Sequence, residues 1–292
     1  MAPAEQPENT EITLTGAQET LFVTLYGRWL DFNSPRPLLG DKWSAEVVAR
    51  VPGKAAETGD RVRGVPSGLA IFVLRTRLFD KWVTDFVTEN KRATVVHLAC
   101  GLDTRALRLR DKCGDGVRWI DVDFPDVINL RRQIKIPEPE SSTTGGYSYE
   151  MVASSVVETE WLNKLPTDRP TVIVFEGLTM YLTPEDGKNL IKRLVEHFGS
   201  GQMIFDCMPR THRALLNLMV WVKGHWTFTF NWAIDDPKSL EAVHPRLKML
   251  DKFSMWNVPG LELLAWWIRL VMFVVSWIPI LRNLSMFTRF EF

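Results

Sequence analysis

Residues 94–109 (TVVHLACGLDTRALRL) combine the pattern of a buried strand with a turn that could hold a ligand. Apolar β-forming residues lead into the small residues Ala99 and Gly101, and helix-forming residues follow them. Such a turn brings backbone N–H groups and a helix N-terminus close to a bound molecule. By itself, the pattern predicts a nucleotide-type ligand at the first βα turn.

The glycine spacing narrows the choice of ligand. A dinucleotide fingerprint has three glycines in the order G-x-G-x-x-G, whereas these positions hold Ala99, Gly101 and Thr104. Asp123 follows about 20 residues further on, where a second strand would end and a carboxylate could accept hydrogen bonds from a ribose diol. A Rossmann-like site without a pyrophosphate cradle fits an adenosyl ligand better than NAD. An NAD-dependent oxidoreductase is therefore disfavoured.

Three segments carry a resemblance to a known family. LACGLDTRALRL, DVDFPDVINLRR and FEGLTMYLTPED, in this order and spacing, resemble the leucine carboxyl methyltransferase family, including its TcmP-like branch of polyketide-pathway O-methyltransferases. TLTGAQETLFVTLYGRWLD and FNWAIDDPKSLE resemble that branch as well. The resemblance runs from residue 12 to the C-terminus and implies S-adenosyl-L-methionine as the cofactor.

The fold class expected is α/β: a Rossmann-like class I methyltransferase with a seven-stranded, mostly parallel sheet, helices on both faces and a helical cap. Residues 1–64 are predicted to form an N-terminal tail and a helical lid. Residues 65–292 are predicted to form the methyltransferase domain, with a substrate-cap insertion at about 209–247. Hydrophobic patterning places strands after the first one at 118–122, 149–153, 171–175, 203–207, 248–255 and 284–292.

The resemblance also implies roles for individual residues. Arg75 would bind the carboxylate of the cofactor's methionine part, and Glu176, at the end of strand four, would pair with its ammonium group. A solvated helix charge and a helix-start acid are the alternative roles of these two residues. Ser155 stands where the family usually has an acid, so its hydroxyl and the N–H of Val156 would serve the adenine instead. The predicted cofactor-binding residues are Arg75, Ala99, Gly101, Asp123, Ser155, Val156 and Glu176.

The segment predicted to cover the substrate is rich in aromatic residues, and its connector reads HWTFTFNWAIDD. These rings would form either an aromatic wall for a flat substrate or ordinary packing of the cap. The predicted substrate contacts are Tyr181, Arg210, His225 and Trp232. Solvated side chains are an equal alternative for Arg210 and His225.

The inferred chemistry is methyl transfer from a sulfonium to an oxygen nucleophile. A carboxylate is already ionised at pH 7 and needs no general base, so positioning in a dry pocket would suffice and no catalytic residue is assigned. The acceptor expected is the carboxylate of a small aromatic or polyketide-type metabolite. A phenol, a protein C-terminal carboxylate and a non-catalytic adenosyl-binding module are the alternatives.

Composition excludes some partners. The chain has 292 residues, 46% of them hydrophobic, and a formal net charge of zero, so nothing steers it toward nucleic acid. Its three cysteines show no metal-binding spacing, and together with a polar N-terminus they favour a reducing, cytoplasmic location without a metal.

Residues 261–281 (LELLAWWIRLVMFVVSWIPIL) are strongly apolar. The uncharged part of this segment is shorter than the about 20 residues that a membrane-spanning helix needs. A buried helix, packed on the sheet or across a homodimer interface, is the preferred interpretation. Peripheral membrane contact through Trp266, Trp267 and Phe273 is the alternative, and membrane association is on balance not expected.

Overall fold

A computed structural model describes residues 20–51, 66–142, 146–223, 228–278 and 284–292. A seven-stranded sheet runs through the molecule in the order β3-β2-β1-β4-β5-β7-β6. All neighbouring pairs are parallel except those of β7, which runs antiparallel to both β5 and β6. The strands are β1 (Thr94–Leu98), β2 (Arg118–Asp123), β3 (Ser148–Ala153), β4 (Thr171–Phe175), β5 (Gly201–Cys207), β6 (Lys248–Ser254) and β7 (Met286–Glu291). The predicted class I Rossmann-like fold is confirmed.

Helices cover both faces of the sheet. They are α1 (Leu21–Phe32), α2 (Lys42–Arg50), α3 (Pro66–Glu89), α4 (Arg105–Arg108), α5 (Pro125–Gln133), α6 (Glu160–Asn163), α7 (Pro184–His197), α8 (Arg210–Lys223) and α9 (Trp266–Ser276). Short 3-10 turns lie at Thr179–Tyr181, Pro237–Val243 and elsewhere. Every residue of β1 and β4 is buried, because central parallel strands are covered on both sides.

The two faces hold separate apolar cores. Val95 and Val172 pack with α3 on one face, whereas Val96 and Ile173 pack with α7 on the other. This alternation follows from the period of two along a strand. The sheet is therefore covered by helices on both faces. Its carboxyl edge is left for loops and side chains that can contact a ligand.

The two helices of the predicted lid, α1 and α2, lie against α5 and the turn after β1. Leu25 and Val47 share an apolar cluster with Leu102 and Val127, and Arg28 donates a hydrogen bond to the Leu102 carbonyl at 3.3 Å. The start of the predicted tail and the predicted domain boundary at 64–65 lie outside the described residues.

Helix α9 corrects one expectation from the sequence. None of its residues is fully buried, and only its inner side, with Ile268 and Met272, packs on the core that contains α3. The prediction that this segment packs on the sheet as a buried helix is therefore wrong, because the sheet below is already covered by α3. Burial of the segment across a homodimer interface stays a prediction. Within the described residues, no helix has the length and apolarity required to cross a membrane.

Candidate active site

The turn after β1 adopts the conformation that a close ligand requires. Ala99 and Gly101 have φ angles of 50° and 52°, in the left-handed region that favours glycine. The Gly101 N–H donates to Asp123 Oδ2 at 2.7 Å, and the Phe124 N–H donates to Asp123 Oδ1 at 2.7 Å. Asp123 is thus fixed at the end of β2 beside the turn. A carboxylate has about four acceptor positions, so capacity remains for ribose hydroxyls.

Asp123 is 7% exposed and, within the described chain, has no cation at ion-pair distance. Burial raises its pKa, although the two amide hydrogen bonds act in the opposite direction. A desolvated carboxylate with spare acceptor positions gains free energy from any further donor brought to it. Its surroundings therefore suit a polar ligand.

Ser155 and Val156 lie just beyond β3, next to Asp123. The connection is made by the Ser154 N–H, which donates to the Asp123 carbonyl at 2.9 Å. Ser155 is half-buried, while Val156 is 6% exposed and belongs to the core under α7. The structure therefore brings both predicted adenine contacts to the same end of the sheet as Asp123.

Arg75 and Glu176, predicted to serve the amino-acid end of the cofactor, are in direct contact. Arg75 Nε donates to Glu176 Oε1 at 2.8 Å, and its Nη1 donates to Asp206 Oδ2 at 2.7 Å. The other oxygen of Asp206 accepts the Gly177 N–H at 2.7 Å. Residues from α3, the end of β4 and the end of β5 thus form one buried cluster.

Glu176 is held in its charged form. Thr76 Oγ1 donates to Glu176 Oε1 at 2.7 Å, and Arg105 pairs with Oε2. Burial alone would raise the pKa of this carboxyl, but the charges of Arg75 and Arg105 outweigh it and lower the pKa to about 2. Burial likewise lowers the pKa of Arg75, and the charges of Asp206 and Glu176 outweigh it so that the pKa is raised.

Arg105 connects this cluster to further buried charges. Its Nε donates to Asp80 at 2.7 Å, and its Nη1 lies 3.1 Å from His97 Nε2. Asp80 also binds Arg108, whose Nη1 donates to Asp41, the residue before α2, at 2.9 Å. A continuous set of ion pairs therefore runs from the end of β4 to the start of α2.

Sequence reasoning missed Asp206 and the role of Arg105. Arg105 lies within the GLDTR motif, but the motif alone gives it no function. Asp206 is the one acidic residue in the otherwise apolar run MIFDCM, and a charge inside a buried strand is the signal that could have identified it.

Tyr181, a predicted substrate contact, lies against the described part of the aromatic connector, which begins at Phe228. Its ring contacts Phe228 and Phe230 with centroid distances of 5.5 and 5.4 Å, and its hydroxyl donates to Thr20 Oγ1 at 3.2 Å. The Asn231 N–H fixes the connector to the Met180 carbonyl at 2.8 Å. Burial raises the pKa of Tyr181 to about 12, so its hydroxyl stays protonated at neutral pH.

Two of the other predicted substrate contacts, Arg210 and Trp232, are engaged away from Tyr181. Arg210 is exposed and its Nε pairs with Asp235 at 2.5 Å. Trp232 is 5% exposed, and its ring fills the space above Gly187, where an added Cβ would come within 2.0 Å of it. Its indole is thus engaged in core packing with α7. His225 lies outside the described residues.

The arrangement fits S-adenosylmethionine. Asp123 offers acceptor positions at one end, and the charged pair Arg75–Glu176 lies at the other. Gly177, with φ of 68°, has no atom within 4 Å of the position a Cβ would take, so there is open space directly beside Glu176.

Comparison of the sequence with known proteins identifies the family of this chain. The family model for leucine carboxyl methyltransferase matches residues 34–195. The chain is 38% identical over 252 residues to the tetracenomycin polyketide synthesis O-methyltransferase TcmP of Streptomyces glaucescens, with 86% of this chain and 87% of that protein covered. It is 36% identical to the S-adenosyl-L-methionine-dependent methyltransferase dpfgK of Gibberella zeae, with 92% and 93% covered.

The fold is also found in solved structures. A putative methyltransferase from Thermobifida fusca superimposes with a TM-score of 0.57 at 11% identity and covers 95% of each chain. Since a match at this identity speaks only for the fold, the activity follows from the sequence relatives. The chain belongs to the leucine carboxyl methyltransferase family and is an S-adenosylmethionine-dependent O-methyltransferase.

Proposed function

We propose that this enzyme forms methyl esters on the carboxylate of a small aromatic or polyketide-type metabolite. The observation that carries the proposal is the 38% identity to TcmP over 86% of the chain, since the name of that relative places its activity in polyketide synthesis. The aromatic cluster of Tyr181, Phe228 and Phe230 beside the end of β4 supports a flat acceptor.

The cofactor would be held at both ends of the site. Asp123 would accept from the ribose hydroxyls, and Ser155 with the Val156 N–H would contact the adenine. Glu176, whose pKa is lowered to about 2, is charged at neutral pH and would pair with the ammonium group. Arg75 would use the guanidinium donors that Glu176 and Asp206 leave over to bind the carboxylate. When bound, the cofactor supplies an electrophilic methyl group on a sulfonium.

A carboxylate acceptor suits the groups around Tyr181. The described histidines are engaged elsewhere. His97 contacts Arg105, and the rings of His197 and His212 are bonded to the Leu165 and Leu284 carbonyls. His244 Nδ1 accepts the Arg246 N–H. Burial lowers the pKa of His212, despite its bond to the Leu284 carbonyl. The chain's own contribution is then to orient the acceptor and exclude water, and orientation alone can be worth about 7 kcal/mol.

The test uses two acceptors that share one ring skeleton, an aromatic carboxylic acid and the corresponding phenol, together with a peptide that ends in leucine. Each is incubated with isotopically labelled S-adenosylmethionine, and products are identified by mass spectrometry before and after mild alkali. The proposal predicts label on the acid alone, and loss of that label in alkali because esters hydrolyse. An alkali-stable ether on the phenol, or methylation of the peptide, would overturn it.

The set of substrate contacts is tested by comparing two exchanges. Tyr181→Leu removes the half-buried ring from the aromatic cluster and should raise KM for the acid severalfold. Arg210→Gln is the matched surface exchange, and since its guanidinium is already paired with Asp235, KM should stay within twofold. A larger rise in KM for Arg210→Gln would show that Arg210 contacts the substrate after all.

A further inference from the structure

Helix α9 presents an unusually large apolar surface to solvent. Trp266 and Trp277, near its two ends, are each 74% exposed. The side chains exposed by about 44% or more are Trp266, Trp267, Leu270, Val271, Phe273, Val274, Trp277 and Ile278. Their combined exposed area is on the order of 1,000 Å², judged from typical side-chain areas, whereas contiguous apolar patches on soluble monomers rarely exceed a few hundred Å².

The apolar surface of α9 carries a single charge, and that charge is positive. Between residues 263 and 278 the only ionisable side chain is Arg269, which is exposed. Among the described residues, no carboxylate lies within ion-pair distance of it. An unpaired guanidinium in an apolar face is complementary to an amphipathic anion, whose charged group is attached to a hydrocarbon chain.

A cavity of about 550 Å³ lies against the same helix. Its lining is almost entirely apolar: Trp256, Leu261, Trp266, Leu270, Met272 and Phe273, with Arg269 and Ser276 as the polar groups. It shares no residue with the cofactor cluster described above. One hydrocarbon chain fits such a cavity, with its anionic head at Arg269.

We propose that α9 docks this protein on an anionic phospholipid bilayer, with its apolar face in the interfacial region and one acyl chain in the cavity beside Arg269. Tryptophans near both ends of a short helix match the preference of indole rings for the headgroup level. The helix is too short to span the bilayer and lies along it. This proposal is independent of the acceptor proposed above.

A second copy of the chain fits the face less well. The exposed residues come in adjacent pairs, such as 270 with 271 and 273 with 274, so the apolar face is wider than the narrow seam that one partner helix covers. Protein interfaces of this area also carry about one hydrogen bond per 100–200 Å². Apart from Arg269 and the Ser276 hydroxyl, which donates to the Phe273 carbonyl, this face offers only indole N–H groups.

The strands that precede α8 and α9, which are β5 and β6, end at the same edge of the sheet. Cys207 at the end of β5 and Ser254 at the end of β6 are both paired with Met286 of β7. The outer stripe of α8 is apolar as well, with Leu218 and Trp221 exposed by 55% and 78%. The structure therefore has a second exposed apolar stripe, on the helix that follows β5.

The test is flotation of the full-length protein with vesicles of phosphatidylcholine containing one quarter phosphatidylglycerol. The wild type should float, and the double variant Trp266→Ser/Trp277→Ser should lose at least tenfold in partition. Leu250→Ser, an exchange of a 40% exposed apolar residue on β6, is the matched control and should float like the wild type. Thermal unfolding checks that each variant is folded.

The electrostatic part is tested by Arg269→Glu against Lys91→Glu, an exposed lysine before β1. Arg269→Glu should weaken partition about fivefold on anionic vesicles and barely on pure phosphatidylcholine, while Lys91→Glu should change neither. Absence of wild-type flotation, or equal flotation of all variants, would overturn the proposal. A wild-type dimer that the tryptophan variant dissociates, without flotation, would assign the face to a second copy instead.

Discussion

Glu176 and Asp123 are both buried carboxylates at the carboxyl ends of parallel strands, but their surroundings differ in kind. Glu176 is surrounded by Arg75, Arg105 and Thr76, and its pKa falls to about 2. Asp123 accepts two backbone amides, and burial raises its pKa. One carboxylate is fully compensated by the protein, whereas the other keeps unfilled acceptor positions.

This difference between Glu176 and Asp123 indicates two functions of a buried charge, stabilisation of the fold and binding of a ligand. The Glu176 cluster is preorganised, because its charges cancel one another without any ligand and fix the ends of α3, β4 and β5 together. At Asp123 the protein supplies only the minimum that holds the carboxylate in place. We infer that Glu176 matters for stability as well as for binding, and Asp123 mainly for binding.

The strongest test of this contrast is Glu176→Gln. The exchange leaves Arg75 and Arg105 with less compensation in a buried site, and breaking a buried ion pair typically costs about 3–5 kcal/mol. Urea unfolding followed by tryptophan fluorescence should show a loss of this size. The control is Glu196→Gln, in an exposed pair with Lys192, which should cost less than about 1 kcal/mol. Similar losses for the two exchanges would contradict the comparison.

Acid should act on the two carboxylates with opposite sign. Glu176 has a folded pKa below its ordinary value of 4.5, so its contribution is present above pH 4.5 and is lost as pH falls toward 2, on the order of 3 kcal/mol in all. Asp123 has a raised pKa, so its contribution is present below pH 3.8 and is lost as pH rises above that value.

Unfolding free energies measured in steps from pH 6 to pH 3.5 should therefore fall with acid in the wild type. The fall should be shallower in Glu176→Gln and steeper in Asp123→Asn. Parallel curves for the three proteins would show that the pKa of Glu176 is not lowered by folding and that of Asp123 is not raised.

Asp123→Asn should affect ligand binding more than stability. The amide loses the charge and one of the two acceptor oxygens, so the ribose would lose a charge-assisted hydrogen bond worth about 1.5–3 kcal/mol. The Kd for S-adenosylhomocysteine, measured by calorimetry, should rise by about tenfold to a hundredfold. The cost in unfolding free energy should stay below about 2 kcal/mol, since a desolvated charge is removed at the same time. A folded variant with unchanged Kd would remove Asp123 from the ribose site.

Much of the fold could be predicted from the sequence, because each strand has its own local pattern. The predicted bounds of β4 match the observed ones, and those of the other strands differ by at most two residues at either end. The turn at Ala99 and Gly101 is likewise predictable from small residues between a strand and a helix. These features depend on residues that are neighbours in the chain.

The charge cluster around Glu176 could not be predicted from local sequence patterns. The contacts of Glu176 with Thr76 and Arg105 join residues 100 and 71 positions apart, and that of Arg75 with Asp206 joins residues 131 apart. Only the order of strands in the sheet brings them together. The prediction that α9 packs on the sheet failed for a related reason, since an apolar helix is buried within its own chain only where the fold leaves a free face to cover.

The smallest effect concerns the two glycines that donate to the strand-end acids, Gly101 to Asp123 and Gly177 to Asp206. Both have left-handed φ, and an added Cβ would meet only the Leu21 Cβ at 3.5 Å near Gly101 and nothing within 4 Å near Gly177. Gly101→Ala and Gly177→Ala should each cost about 1–2 kcal/mol through backbone strain alone. Ala99→Gly, which relieves the same strain, should change stability by less than about 1 kcal/mol. A much larger loss in Gly177→Ala would mean that the Asp206 side of the site tolerates strain less than the Asp123 side, as expected if its ion pairs depend on one fixed geometry.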